Sequence, residues 1–261
     1  MKKTIGIIGF GRVGGSFALA LRDRTWRVNV LTRFPDNTEG IRFFSKDDVE
    51  EFLEESDYFL ITVMDSRIQE KAEWLSRFPV EGKVFLHMSG ALPSSILKPL
   101  KSKGAHIGSL HPLQTFPERN PNLLKNIYFA FEGDEETERF ARLLVQEVES
   151  SIFRINPEKK VLYHAAAVFA SNFADAMWII ADMLMREVSD GDFRMMEPLV
   201  RTTLENALRM GPQKALTGPA RRRDTLTIQK HLRELKKYPR LEQIYDVITG
   251  FILKHFEEKG A

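Results

Sequence analysis

Few stretches constrain a fold as tightly as residues 4–22, TIGIIGFGRVGGSFALALR. A short β-branched run ends at Gly9, helix formers resume at Ser16, and between them lie four glycines within seven residues. This order predicts a strand, a glycine turn and a helix. Gly9, Gly11 and Gly14 fit the spacing GxGxxG. In that motif the first glycine permits the tight turn, the second lets a diphosphate approach the backbone, and the third lets helix and strand pack closely. The helix N-terminus then offers free N–H groups and a favourable dipole to the anion. The whole turn, Gly9, Phe10, Gly11, Arg12, Val13 and Gly14, is therefore expected to bind a dinucleotide.

The alternation continues down the chain. Strands are expected at 28–31, 57–65, 83–90 and 106–112, with helices at 46–55, 67–78 and 93–103 between them. The segment NIYFAFEG, an amphipathic helix from Glu135 to Glu149 and the segment SIFRIN extend the pattern. Repeated βα order implies α/β architecture, a mostly parallel sheet covered by helices on both faces. After Pro157 no strand is predicted, and three or four helices run to the end, broken near 189–192, 211–219 and Pro239. The expected organisation is a Rossmann-like domain over residues 1–156 and an all-helical domain over 157–261.

The end of the second strand bears on which dinucleotide is bound. A site preferring NAD places Asp or Glu there to hold the ribose hydroxyls. This chain has Thr32 and Arg33, a hydroxyl and a guanidinium suited to a 2′-phosphate, so NADP is the expected cofactor. In open α/β sheets ligands bind beyond the carboxyl ends of the strands. Val63, Met64, Ser89, Gly90 and His111 occupy those ends. Ser89 and Gly90 are expected at the nicotinamide end of the cofactor. His111 titrates near neutrality in its ordinary state and is the candidate proton donor, with a structural histidine as the alternative. In YHAAAVFASNF, His164, Val168 and Asn172 share one helical face, so His164 and Asn172 are candidates for the substrate side, or for satisfying buried backbone at a contact. His106, Ser109 and His111 lack the acidic neighbours a metal site needs, and no metal is expected. Arg221, Arg222 and Arg223 form a run that either meets an anion or pairs with carboxylates at a surface.

Composition removes several other classes. The chain has 261 residues, no cysteine and a formal charge of +2, which leaves no thiol chemistry and no broad basic field for nucleic acid. A cysteine-free chain fits a reducing compartment, and the expected location is cytoplasmic. The N-terminal apolar run is broken by glycines and Arg12, unlike a secretory signal. The apolar stretch 165–185 contains Asn172, Asp175 and Asp182, which are costly in lipid, so it is expected to be buried between protein surfaces rather than in a membrane.

In order, GFGRVGGS, SGA, LHPLQTF, YHAAAVFASN and ALTGPARRRD followed by a histidine resemble a family of predicted oxidoreductases with an N-terminal Rossmann-like domain and a C-terminal helical domain of unknown function. That family is similar to the wider group of ketopantoate reductases, pyrroline-5-carboxylate reductases, β-hydroxyacid dehydrogenases and prephenate dehydrogenases. The resemblance implies a homodimer through the helical domain, cofactor on Gly9, Gly11, Gly14, Arg33 and Ser89, and substrate contacts from His111 and Asn172. One departure stands out. The hydroxyacid dehydrogenases carry a lysine four residues before a helical asparagine, and Val168 occupies that place here. The expected activity is NADP-dependent hydride transfer with a small carbonyl or imine, on an anionic molecule such as a 2-oxo acid, ketopantoate being one. A non-catalytic NADP-binding sensor or scaffold is the alternative.

Overall fold

The computed structural model describes residues 3–24 and 26–257. Eight strands form one sheet: β1 (Thr4–Ile8), β2 (Arg27–Leu31), β3 (Ile41–Phe44), β4 (Tyr58–Ile61), β5 (Val84–His87), β6 (His106–Pro112), β7 (Tyr128–Gly133) and β8 (Ser151–Arg154). Their spatial order is β3-β2-β1-β4-β5-β6-β7-β8, and every neighbouring pair is parallel except β6 with β7. Five helices accompany the strands: α1 (Arg12–Arg22), α2 (Val49–Glu54), α3 (Ile68–Leu75), α4 (Lys98–Lys101) and α5 (Glu135–Glu147). From β1 the chain moves outward to β2 and β3, then returns to lay β4 on the other flank of β1. That reversal opens a crevice beyond the carboxyl ends of β1 and β4, where ligands bind in open α/β sheets.

The inner strands β1, β4 and β5 are apolar on both faces because both faces are covered. Ile5, Ile7, Leu60 and Leu86 join Phe17, Leu21, Phe140 and Leu144 in one core layer. Ile8, Phe59, Ile61 and Phe85 join Phe52, Leu53, Ile68, Leu75 and Leu100 in the other. Consecutive residues of one strand thus feed opposite layers, as the period of two requires.

The structure differs from the sequence expectations in local detail. β3, with residues IRFF, was not anticipated; it is a four-residue edge strand, only partly buried, entered through Gly40 at φ +77°. The strand expected at 57–65 ends at Ile61, because Thr62 leaves the ladder to bond the glycine turn. The helices expected at 46–55 and 93–103 each begin as a 3₁₀ turn before α2 and α4.

Beyond β8 the described residues contain only helices: α6 (Lys160–Ala170), α7 (Asn172–Val188), α8 (Glu197–Met210), α9 (Pro212–Ala215), α10 (Pro219–Arg222), α11 (Thr225–Leu235) and α12 (Pro239–Glu257). This exceeds the three or four expected. Ser171 breaks the first apolar stretch, and Gly211 and Gly218, both at positive φ and each followed by proline, cut out two one-turn helices.

Contacts divide the chain into two compact units, Met1–Asn172 and Phe173–Ala261, so that α6 goes with the sheet. In the second unit, Phe193 N–H donates to the Asp182 carboxylate at 2.8 Å, and Asp224 caps α11 by accepting from Thr227 N–H at 3.1 Å. Arg221 lies over the Phe256 ring and Arg223 faces Glu257, so two of the three arginines in that run have partners within the unit. Only Ile228 and Thr249 are buried among its described residues. The stretch 157–188 is long and apolar enough to cross a membrane by length and composition; an 18-residue window within it has mean hydropathy 1.3, yet no residue of that window is buried within the single chain. The expectation of an enclosed helix is therefore not met inside one copy.

Candidate active site

The three glycines of the turn answer to three different physical demands. Gly9 sits at φ +104°, a conformation that side chains other than glycine rarely adopt. A methyl group on Gly14 would lie 2.3 Å from both the Gly9 carbonyl oxygen and Thr62 Oγ1, so only glycine lets α1 pack there. Gly11 is unlike both: its φ is −75°, and a Cβ built on it meets nothing within 4 Å. Neither backbone strain nor internal packing explains a glycine at this position. The bare surface suits a body outside the chain that must approach the start of α1, as a diphosphate does.

Around that surface runs a cleft of about 370 Å³, lined by Gly9, Phe10, Gly11, Thr32, Arg33, Val63 and Met64 from the expected set. Hydrogen bonds hold its rim. Gly9 N–H donates to Leu31 O at 3.0 Å, Thr62 Oγ1 donates to Gly9 O at 2.9 Å, and Phe34 N–H donates to Thr32 Oγ1 at 3.3 Å. Lys46, Arg67, Lys71 and Arg119 also line it, so with Arg33 the wall holds five cations and no carboxylate. Exposed Phe34 and Met64, with Trp74, supply apolar surface suited to an adenine ring. Arg12 and Val13 open α1 without lining the cleft, and Gly14 is buried beneath it.

The second cluster forms where β6 outruns its neighbour. The β5–β6 ladder ends at His87 opposite Ser109, which carries His111 past it at the carboxyl edge. A Cβ on Gly90 would lie 2.7 Å from His164 Nδ1 and 2.8 Å from His111 Nε2, so two imidazole nitrogens converge on a bare piece of backbone. Their rings are perpendicular at 5.7 Å. His111 Nδ1 is 2.8 Å from the Tyr163 hydroxyl. His164 Nδ1 is buried and has no hydrogen-bond partner among the described residues. A pocket of about 390 Å³ joins His111, Tyr163 and His164 to Gln114, Thr115, Val168, Ser171 and Asn172. The three expected substrate-side residues thus line one cavity.

A buried ion pair fixes this arrangement. Lys160, the first residue of α6 and 1% exposed, places Nζ against Ser109 Oγ and 3.4 Å from Glu132 Oε1. Glu132 also accepts from Ser94 Oγ at 2.7 Å and from Ser94 N–H. α6 is thereby pinned to β6 and β7, with Tyr163 and His164 one turn further on. Removing one partner of such a pair strands a buried charge, at a cost of about 3–5 kcal/mol. Burial pushes the Lys160 ammonium below its ordinary value, against the pull of Glu132. Sequence reasoning missed Lys160, Glu132, Tyr163 and Arg119, because a lone lysine or glutamate in a polar stretch gives no signal until the fold buries it.

Ser89 has a different place from the one expected. It is 4% exposed, and its hydroxyl donates to Asp65 Oδ2 at 2.6 Å while accepting from Ala91 and Leu92 N–H. Its hydroxyl is committed to the turn that presents Gly90.

Burial, reinforced by His164 and Lys160, lowers His111 to about 4, and burial with Lys160 lowers His87 to about 3. Burial raises the Tyr163 phenol to about 12. Near neutral pH both histidines are neutral and the phenol keeps its proton. The Tyr163 hydroxyl and His111 Nδ1 share one hydrogen bond, and in the tautomer where the phenol donates it the imidazole proton sits on Nε2, the nitrogen beside Gly90. A histidine whose folded value lies below its unfolded value of 6.5 stabilises the fold fully above that pH and progressively less below it. Thermal or denaturant unfolding should therefore show stability falling from pH 6.5 towards pH 4, by at most about 1.4 kcal/mol per pH unit for each of the two histidines. The fall should be shallower in His111→Gln; an identical slope would contradict the buried neutral imidazole.

Comparison with known proteins agrees with this architecture. Residues 127–251 match the sequence model of a domain of unknown function (DUF2520), and residues 1–71 match that of the D-isomer specific 2-hydroxyacid dehydrogenase, NAD binding domain. No curated protein matches the sequence. A solved structure from Bacteroides fragilis, provisionally described as an NADP oxidoreductase, is 25% identical, with TM-score 0.82 over 97% of this chain and 98% of that one. A Thermotoga maritima protein is 24% identical, with TM-score 0.75 over 98% and 100%. A reductive aminase from Aspergillus terreus, solved with NADPH and ethyl-5-oxohexanoate, shares the fold at 13% identity, with TM-score 0.76 over 99% and 95%. The chain is thus similar, at its N-terminal Rossmann-like segment, to a nicotinamide dinucleotide-binding domain and, from β7 into α12, to the domain of unknown function DUF2520.

Proposed function

We propose that the chain is an NADP-dependent oxidoreductase acting on a small carbonyl or imine. The observation that carries this reading is Gly11, a glycine with no internal reason, facing a cleft with five cations and no carboxylate. Gly9, Gly11 and Gly14 would admit the diphosphate, and Thr32 and Arg33 the 2′-phosphate, with Lys46, Arg67 and Lys71 adding positive potential. A bound nicotinamide supplies or accepts the hydride. The chain's own task is to orient the substrate, exclude water and manage one proton.

His111 is placed for that proton. Neutral, with its proton on Nε2, it hydrogen-bonds a carbonyl oxygen or imine nitrogen beside Gly90 and polarises it. As the reacting carbon gains hydride, the Nε2 proton passes to the substrate heteroatom, and the Tyr163 proton moves to Nδ1. Charge ends on the phenolate, which then takes a proton from solvent. Asn172, in the same lining, offers an amide to the substrate, and His164 Nδ1 offers a second nitrogen.

The pocket wall holds no lysine or arginine among the described residues. The carboxylate of a 2-oxo acid such as ketopantoate finds no counter-charge in it, so the reading narrows from the anionic substrate expected earlier to an uncharged ketone, aldehyde or imine. Consumption of NADPH by a cysteine-free chain fits a reducing cytoplasm.

A second copy covers the helical unit in this reading. Trp178, Ile179 and Met183 of α7 and Leu199, Leu204 and Leu208 of α8 are exposed, and with only two of the unit's described residues buried this apolar surface calls for a cover. Asp175, Asp182 and Arg186 on the same helix favour a protein partner over lipid. Sedimentation should give a dimer; a monomer at micromolar concentration would contradict this.

Purified protein with NADPH and a panel of neutral ketones, ketone–amine mixtures and 2-oxo acids should oxidise NADPH with the neutral members. His111→Ala should lower kcat by about 10²–10⁴-fold while NADPH binding persists. Turnover indifferent to that substitution, or confined to 2-oxo acids, would defeat the proposed chemistry. NADPH binding without turnover anywhere in the panel would favour a sensor or scaffold.

A further inference from the structure

Arg119 lies in the long connection between β6 and β7, remote in sequence from the glycine turn, yet its side chain spans that turn. Its guanidinium is 4.2 Å from the centre of the Phe10 ring, inside the GxGxxG motif. Its stem occupies the space above Gly15, where a Cβ would come within 2.6 Å of Arg119 Cδ. Gly15 is otherwise unexplained: it has helical conformation within α1, where glycine costs about 1 kcal/mol relative to alanine. The neighbouring backbone is pinned to the same helix, because Asn120 N–H donates to Ser16 Oγ at 2.9 Å and Ser16 Oγ donates to Arg12 O at 2.7 Å. Phe10 and Gly15 thus seat one arginine at the start of the helix, and Ser16 anchors the backbone next to it.

What holds the guanidinium at rest is weak. Its ionic partner is Asp36, at 3.1 Å, and both side chains are close to half exposed. Exposed pairs of this kind contribute about 0–1 kcal/mol. A diphosphate at the N-terminus of α1 would bring two negative charges and several acceptor oxygens to a planar donor already positioned beside it.

We propose that Arg119 is a diphosphate ligand of the cofactor cleft, held in place by the Phe10 ring and the Gly15 gap and exchanging Asp36 for the phosphate oxygens when the dinucleotide binds. The inference rests on the cofactor reading above and adds to it a residue that the glycine motif does not contain. It has a consequence for the second pocket. Leu113, Gln114 and Thr115, which wall that pocket, belong to the same connection as Arg119. Capture of Arg119 by the cofactor therefore steadies the wall against which the substrate rests.

Calorimetric titration of NADPH and NADH into the wild-type chain, Arg119→Met, Arg33→Ala and Asp36→Asn tests this. Because the diphosphate is common to both dinucleotides, Arg119→Met should weaken both by a similar factor, about tenfold or more. Arg33→Ala should weaken NADPH far more than NADH. Asp36→Asn should bind as well as the wild type or better. Hydrogen exchange over residues 113–120 should slow on adding NADPH to the wild type and not in Arg119→Met. Unchanged affinities in Arg119→Met, or a loss confined to NADPH, would overturn the diphosphate role while leaving the cofactor reading intact. Weaker binding in Asp36→Asn would overturn the exchange. If the wild-type chain binds neither dinucleotide, the cofactor reading falls and the role of Arg119 with it.

Discussion

Helix α1 meets the ends of β1 and β4 with Gly14 packed directly on the Gly9 carbonyl and the Thr62 hydroxyl, and the cleft beside the glycine turn depends on that close approach. At Gly14 the space left for a methyl group is already filled by the Gly9 carbonyl and Thr62. Thr62 in turn closes the contact from the β4 side: its hydroxyl donates to Gly9 O and its backbone N–H donates to Ile8 O, each at 2.9 Å. With helix and strands so close, the first turn of α1 points into the crevice where strand order reverses. The cations of the β2–β3 connection and of α3 then face the same space. A looser turn would leave those residues in place and lose the convergence.

The two clefts divide the electrostatic work. Among the described residues the first concentrates lysine and arginine and has no carboxylate in its wall, a positive field that suits the phosphates of the proposed cofactor. The second has no lysine or arginine in its wall; a buried lysine lies behind it, neutralised by Glu132. This pair fixes α6 to β6 and β7, and its lysine adds to the burial that holds His111 below its ordinary value. The lysine that the hydroxyacid dehydrogenases carry on the helix is absent at Val168, and the chain has instead a phenol and an imidazole in hydrogen-bond contact. The proton donor of the proposed reaction is therefore a relay rather than an ammonium.

Much of the fold was legible because its signals are local. The apolar runs at 4–8, 84–87 and 106–112 and the glycines at fixed spacing each report their own structure, and the residues at the strand ends could be named from strand positions alone. β3 escaped because four residues after a polar loop, only Phe44 of them buried, lack a clear period. Lys160 and Glu132 escaped because their significance is burial, a property created by residues far away in sequence. Arg119 escaped for the same reason: what marks it is the gap at Gly15, more than a hundred positions earlier. Ser89 was rightly singled out as lying at a strand end, yet its hydroxyl is engaged by Asp65 and two backbone amides, which strand position alone does not reveal.

The central claim is that the glycine turn exists to receive a dinucleotide, and Gly11 tests it most directly because nothing inside the protein requires a glycine there. Calorimetric titration of NADPH into Gly11→Ala and wild type, with thermal melting of each, separates binding from folding. The account predicts that Gly11→Ala melts within a few degrees of the wild type and loses at least about tenfold in NADPH affinity, since the added methyl occupies the space of the diphosphate. Equal NADPH affinity in the two proteins would contradict it.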